Sequence, residues 1–368
     1  MNTAFYTLFS TKREDNKYQK KQNIVWGDGK LPKMPRPTVI ICAGEELFAS
    51  FFTHGQQKRL GRVFRWQRDE SRTITPQLKK KLATADAIIT TWDSPKFGDD
   101  LHHLAPRLRI ISHCGGEVKS RFARVLFDSL TITAAPVPMA RATAEFGATL
   151  LLYCARRVDS YRHEMRKRSN KIYADLHLHG CAETIIGREV AMIGFGRIGR
   201  ALVELTRGFD IQWLVHDPYA PRSLAKKYPV RFTELKALLP RADLLVLTAA
   251  LTEETRGLMG KKNLARLPDG ATVINIARGG LIDLMALTKE VKSGRLRCAL
   301  DVTDPTEPLP IGHPLRSLPG AIVTPHMAAS YRQVRHEMAD VVISDLANFF
   351  KGESVKNRVT TSMLARMT

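Results

Sequence analysis

The hexapeptide GFGRIG at 194–199 constrains this chain more than any other stretch, because of what stands on either side of it. EVAMI precedes it as a short apolar run, and RIGRALVELTRG follows as a helix-compatible one. A strand, a glycine turn and a helix in that order fit the G-x-G-x-x-G fingerprint of a dinucleotide-binding sheet. In this reading Gly194 permits the tight turn, Gly196 lets backbone approach a pyrophosphate, and Gly199 lets the helix pack closely on the sheet. Arg197 and Ile198 open that helix, whose N-terminal N–H groups and positive dipole end face the phosphates. Asp217 follows WLVH, where a carboxylate accepts the adenosine ribose hydroxyls and repels a 2′-phosphate. NAD is therefore expected and NADP less so, although Arg222, Lys226 and Lys227 stand nearby.

The rest of the chain supplies strands for such a sheet. EVAMIG, IQWLVH (211–216), DLLVLT (243–248), ATVINI (271–276), LRCALD (296–301) and AIVTP (321–325) form one series of six. An earlier series, TVIICA (38–43), RVFRW (62–66), DAIITT (86–91), RIIS (109–112) and LTIT (130–133), forms a smaller α/β unit. Helical stretches from about 139 to 165 and from about 330 to 352 flank the larger series. The expected architecture is α/β: a doubly wound parallel Rossmann sheet with a second, smaller, flavodoxin-like α/β domain that is discontinuous in sequence. The expected boundaries are a polar N-terminal extension at 1–37, a substrate domain at 38–140 plus 331–368, and a dinucleotide-binding domain at 141–330.

At 368 residues, with 44% hydrophobic and 25% charged content, the chain suits two folded domains. The longest apolar run of note, GATLLLYCA at 147–155, is too short to span a bilayer. At the N-terminus the apolar residues precede the charges, the wrong order for a secretory signal. Cys42, Cys114, Cys154, Cys181 and Cys298 are scattered and form no CxxC pair, so a reduced, cytoplasmic protein without a metal site is expected. Net charge is +21, and the basics of the densest cluster, RRVDSYRHEMRKRSNK at 156–171, are not interleaved with aromatics as in a nucleic-acid platform; it reads as a solvated helix face, and nucleic acid is not the expected partner.

The chemistry is carried by VINIARGGLID at 273–283. An apolar run delivers Arg278 to the carboxyl end of a buried strand, the edge where open α/β sheets bind ligands. LDVTDPTEPLP (300–310) and TPHMAAS (324–330) end two further strands, so one arginine, one carboxylate and one histidine converge on that edge.

With the glycine fingerprint, the N-x-x-R-G-G segment, an acidic residue after L-D-V, and T-P-H, the chain resembles the D-isomer-specific 2-hydroxyacid dehydrogenase family from about Pro37 to Gly352. The resemblance implies an NAD-dependent oxidoreductase that interconverts a small anionic 2-keto acid and a D-2-hydroxy acid, as a homodimer. Arg278 would hold the substrate carboxylate and polarise the carbonyl, and His326 would be the acid/base. Ala277 and Asp301 would join the cofactor contacts, Asp301 by meeting the nicotinamide carboxamide. The family places the carboxylate behind the histidine at a position that is Thr306 here; Glu307, one residue on, is the expected partner of His326, and Asp304 the alternative.

In the smaller domain ISHCGGEVKS (111–120) offers Gly115 and Gly116 as backbone donors to the substrate carboxylate. Glu117 and Lys119 replace the family's usual Gly-x-Asp theme, and Cys114 has no histidine partner that would make it a nucleophile. Glyoxylate and hydroxypyruvate are the first substrates expected, by family frequency. The competing reading is a dinucleotide-sensing, corepressor-like binding protein on the same scaffold; the complete Arg278, Glu307 and His326 set favours the enzyme.

Overall fold

Strands buried on both faces become nearly continuous β-branched runs, and the chain has enough of them for two sheets. A computed structural model describes residues 36–166, 170–180 and 184–367. The expected N-terminal extension, Cys181 and two basic residues of the 156–171 cluster, Lys167 and Arg168, lie essentially outside these described residues.

The first sheet takes β1 (Thr38–Cys42), β2 (Arg65–Asp69), β3 (Ala87–Thr90), β4 (Ile110–His113) and β5 (Thr131–Ala134). The second takes β6 (Glu189–Ile193), β7 (Gln212–His216), β8 (Val230–Phe232), β9 (Leu244–Leu247), β10 (Thr272–Asn275), β11 (Arg297–Leu300) and β12 (Ala321–Val323). A last strand, β13 (Arg358–Val359), returns to the first sheet and pairs antiparallel with β5. The strand orders are β13-β5-β4-β3-β1-β2 and β12-β11-β10-β9-β6-β7-β8. In the second sheet β6 lies between β7 and β9, which places the topological switch point, and hence the ligand crevice, at the end of β6.

Several local expectations are corrected. Arg62 and Val63 end the helix His54–Val63, whose Thr53–Gln56 capping box fixes its start, so β2 begins only at Arg65. The second sheet has seven strands rather than six, because the edge strand β8 is only the three residues VRF, split by an arginine, and so gives no apolar run. The helical stretch near 139–165 is two helices, Pro136–Ala155 and Val158–Arg166, broken where Arg157 adopts φ 47°.

The helix Arg332–Phe350 buries Met338, Val342, Ile343 and Leu346 against Val39, Ile41 and Ile89 of the first sheet. Each such fully buried aliphatic side chain contributes about 1.5–3 kcal/mol. The helix Pro136–Ala155 instead packs on the second sheet, so closely that a Cβ on Gly147 would lie 2.5 Å from the Ile276 side chain.

Candidate active site

The glycine turn shows three different constraints. Gly194 adopts φ 91°, and a Cβ there would strike the Thr248–Ala249 backbone. A Cβ on Gly199 would lie 2.9 Å from the Met192 sulfur and 3.0 Å from the Gly194 carbonyl oxygen. At Gly196 a Cβ would meet nothing within 4 Å, so this side of the turn is open. The helix Arg197–Leu205 begins there with no side-chain cap, leaving its first N–H groups directed at the open side. Arg197 is exposed at the helix start, and Ile198 is half-buried against the core.

Asp217 anchors the neighbouring loop. Its Oδ2 accepts the Phe195 N–H at 2.6 Å, and its Oδ1 accepts the Tyr219 and Ala220 N–H groups at 2.9 and 3.0 Å. A carboxylate has about four acceptor sites, so capacity for a ribose hydroxyl remains. An open glycine turn, an uncapped helix N-terminus and a positioned carboxylate together fit an NAD dinucleotide.

Arg278 leaves β10 through a turn held by Asn275, which is fully buried. Asn275 Oδ1 accepts the Ala277 N–H at 3.0 Å, and its Nδ2 donates to the Arg278 carbonyl at 2.9 Å. Ala277 is itself buried, and its carbonyl accepts from an Arg278 guanidinium nitrogen at 2.8 Å. Gly279 allows the Thr303–Asp304 backbone to press against this turn where any side chain would collide with it. Burial lowers the Arg278 pKa, and the carboxylates of Glu117 and Glu307 oppose that shift. The guanidinium remains charged and faces acids contributed by loops of both sheets.

His326 stands at φ 54°, a conformation that non-glycine residues rarely hold. Its Nδ1 lies 2.9 Å from Glu307 Oε2, while Glu307 Oε1 accepts the Thr303 N–H at 3.2 Å. Because a carboxylate only accepts, Nδ1 carries the hydrogen and Nε2 is turned away from Glu307. The alternative carboxylate, Asp304, faces Arg256 at 3.6 Å.

Two expectations change here. Asp301 does not present its carboxylate outward: the residue is 1% exposed, and its oxygens accept from the Thr324 hydroxyl at 2.6 Å and the Met327 and Ala328 N–H groups at 2.9 and 3.0 Å. With three of about four acceptor sites taken and 1% of the residue exposed, little of the carboxylate is open to the expected contact with a carboxamide. The Gly115 N–H is likewise committed, to the His113 carbonyl at 2.9 Å, so of the two expected glycine donors only Gly116 keeps its N–H clear of that turn. Gly115 owes its identity to crowding, since a Cβ there would collide with the His113 ring.

Around this loop the sequence reading missed His113 and Arg121 and left the partners of Glu117 open. His113 is buried against the Thr90 hydroxyl at 2.9 Å, and burial pushes its pKa down to about 3, so the ring is neutral. Arg121 donates to the Trp92 carbonyl at 2.9 Å, and Glu117 accepts the Ser120 N–H and hydroxyl at 2.8 and 2.7 Å. Asn275 carried a legible signal: a lone amide in a strand buried on both faces must find partners. Among the described residues, no helix is long and apolar enough to cross a membrane.

Residues 148–328 match the family model described as D-isomer specific 2-hydroxyacid dehydrogenase, NAD binding domain. A glyoxylate reductase of Thermococcus gammatolerans is 32% identical over 282 residues, which cover 75% of this chain and 83% of that protein. A glyoxylate reductase of Aeropyrum pernix is 30% identical over 297 residues, 78% of this chain and 86% of that one. A D-3-phosphoglycerate dehydrogenase of Archaeoglobus fulgidus is 28% identical over 287 residues, and there the match spans only 53% of the relative. Among solved structures, a phosphoglycerate oxidoreductase from Rhizobium etli superposes with TM-score 0.72 at 26% identity, covering 88% of this chain and 98% of that one.

Proposed function

Because the chain belongs to the D-isomer-specific 2-hydroxyacid dehydrogenase family and is an oxidoreductase with NAD as its cofactor, we propose that it interconverts a small 2-keto acid and the D-2-hydroxy acid through Arg278, Glu307 and His326. The single observation that carries the proposal is the 2.9 Å contact between His326 Nδ1 and Glu307 Oε2, on the edge from which Arg278 emerges. When bound, NADH would supply the hydride to the substrate carbon in reduction, and NAD+ would take it up in oxidation.

In the reducing direction, negative charge develops on the carbonyl oxygen as that carbon is reduced. Arg278 grips the substrate carboxylate through two N–H groups and fixes the keto group beside His326. Glu307 holds the ring by Nδ1, so Nε2–H delivers its proton to the carbonyl oxygen. In the oxidising direction neutral Nε2 takes the hydroxyl proton. Gly116 and the Arg278 guanidinium suit a compact acid, which favours glyoxylate and hydroxypyruvate. Asp217 favours NAD over NADP.

The core clusters support division into a substrate domain at 38–140 plus 331–368 and a dinucleotide domain at 141–330. A homodimer is supported by the helices Val158–Arg166 and Lys171–His179, which bury no residue and leave Met165, Tyr173 and Leu178 exposed. Leu178→Glu should yield monomers by sedimentation if that surface pairs two copies.

Steady NADH consumption with a panel of 2-keto acids, with product chirality read on a chiral column, tests the function. Consumption of no 2-keto acid, or formation of the L-isomer, would sink it.

A further inference from the structure

One contact in the second sheet crosses from the loop after β7 to the loop after β9. Tyr219 donates its hydroxyl hydrogen to Glu254 Oε2. Since β6 lies between β7 and β9, this side-chain bridge must pass above the end of β6, where the open glycine turn stands. Tyr219 is only two residues from Asp217, and Asp217 Oδ1 holds the Tyr219 N–H, so the bridge and the ribose carboxylate share one loop.

A third residue comes from the other sheet. Arg366 stacks its guanidinium on the Tyr219 ring, 4.9 Å from the centroid. It follows the helix Thr361–Leu364, whose Leu364 is buried in the first sheet's core with Ile132 and Val359. Arg366 is thus held by the first sheet and touches the second sheet at its adenosine end. Stacking occupies one guanidinium face and leaves in-plane N–H groups able to meet an anionic ligand.

We infer that Tyr219, Glu254 and Arg366 form a clasp over the adenosine half of the cofactor, with Tyr219 and Glu254 as its bar and Arg366 as the latch. The inference rests on the NAD site at the glycine turn. Entry of a dinucleotide requires the bar to lift, and its return under Arg366 slows escape. No residue of the clasp belongs to the Arg278, Glu307 and His326 set, so it acts on retention of the cofactor and not on proton transfer.

The test uses the full chain and two fragments of the cofactor, ADP-ribose and nicotinamide mononucleotide, with NADH dissociation followed by stopped-flow fluorescence. Arg366→Ala should speed NADH release and weaken ADP-ribose binding by about five-fold, the scale of one partly desolvated cation–π contact. Nicotinamide mononucleotide binding should not change. Arg366→Lys should recover part of the loss, and Tyr219→Phe should speed NADH release while leaving the Arg366 stack in place. Unchanged ADP-ribose affinity in Arg366→Ala overturns the clasp, as does an equal loss for both fragments, which would mean a general disturbance. Failure of the parent protein to bind ADP-ribose overturns the glycine-turn site and the clasp together.

Discussion

Asp301 holds His326 from beneath: its carbonyl accepts the His326 N–H at 2.9 Å, and its carboxylate accepts the next two backbone N–H groups. That arrangement supports the positive φ of His326 and aims the ring at Glu307. Asp301→Asn replaces an acceptor-only group by one that must turn two hydrogens toward existing donors. The variant should lose about 1–3 kcal/mol of stability in urea unfolding. It should also lower kcat more than it raises KM, because the histidine is displaced while the arginine is not. A variant with parental stability and kcat would show that the turn holds itself.

Glu307→Gln removes the negative charge beside His326 Nδ1 and keeps the side chain's length. The ring then loses its charged acceptor, so kcat for keto-acid reduction should fall more than KM rises. Asp304→Asn should leave kcat in place, since Asp304 faces Arg256 across 3.6 Å at the exposed surface. Steady-state kcat and KM for both variants decide the matter; a loss of kcat confined to the Asp304 variant reverses the assignment.

Arg278→Lys retains a cation and loses the planar two-point grip. The expected loss in kcat/KM is about 10²–10³, the range for removing one preorganised charged donor. Thermal unfolding should move little, because Asn275 holds the turn through two hydrogen bonds and a lysine ammonium can still donate to the Ala277 carbonyl. A fully active lysine variant would falsify the carboxylate-binding role.

Asp217→Ala should weaken NAD and narrow its lead over NADP. Part of the loss is indirect, since three backbone N–H groups lose their acceptor and the Tyr219 loop loosens. Titration with both cofactors separates the effects: a purely structural role weakens them equally.

His113 makes stability pH-dependent. Its folded pKa, about 3, lies below its ordinary value of 6.5, so below pH 6.5 the unfolded chain binds a proton that the folded chain refuses. This contribution is complete above that pH and is lost as pH falls toward the folded value, with a limiting slope of about 1.4 kcal/mol per pH unit. Urea unfolding between pH 7 and pH 5 should show a steeper loss in the parent than in His113→Asn; equal slopes would show that the ring titrates freely.

Legibility in the sequence followed burial. β9 and β10 are buried along their whole length and read directly as apolar runs, whereas β8 at the sheet edge offered only VRF. Arg278 and Glu307 were legible because each follows a strand buried along most of its length, and His326 because the edge strand before it, AIV, is apolar throughout although only half-buried. The inward turn of Asp301 was not, because its partners are backbone N–H groups whose direction no residue type reports. For the same reason the two glycines at 115 and 116 could not be told apart. The bridge from Tyr219 to Glu254 joins residues 35 apart, and nothing local links them.

The return of the chain to its first sheet also governs the order in which the molecule is assembled. β5 ends at Ala134, yet the helix that covers this sheet begins at Arg332 and its edge strand at Arg358, with the whole second sheet in between. During synthesis the second sheet, contiguous from β6 to β12, is therefore complete before the first can bury Val39, Ile41 and Ile89. The first sheet stays open, with apolar surface accessible to chaperones, until the segment from Arg332 to Val359 arrives to close it.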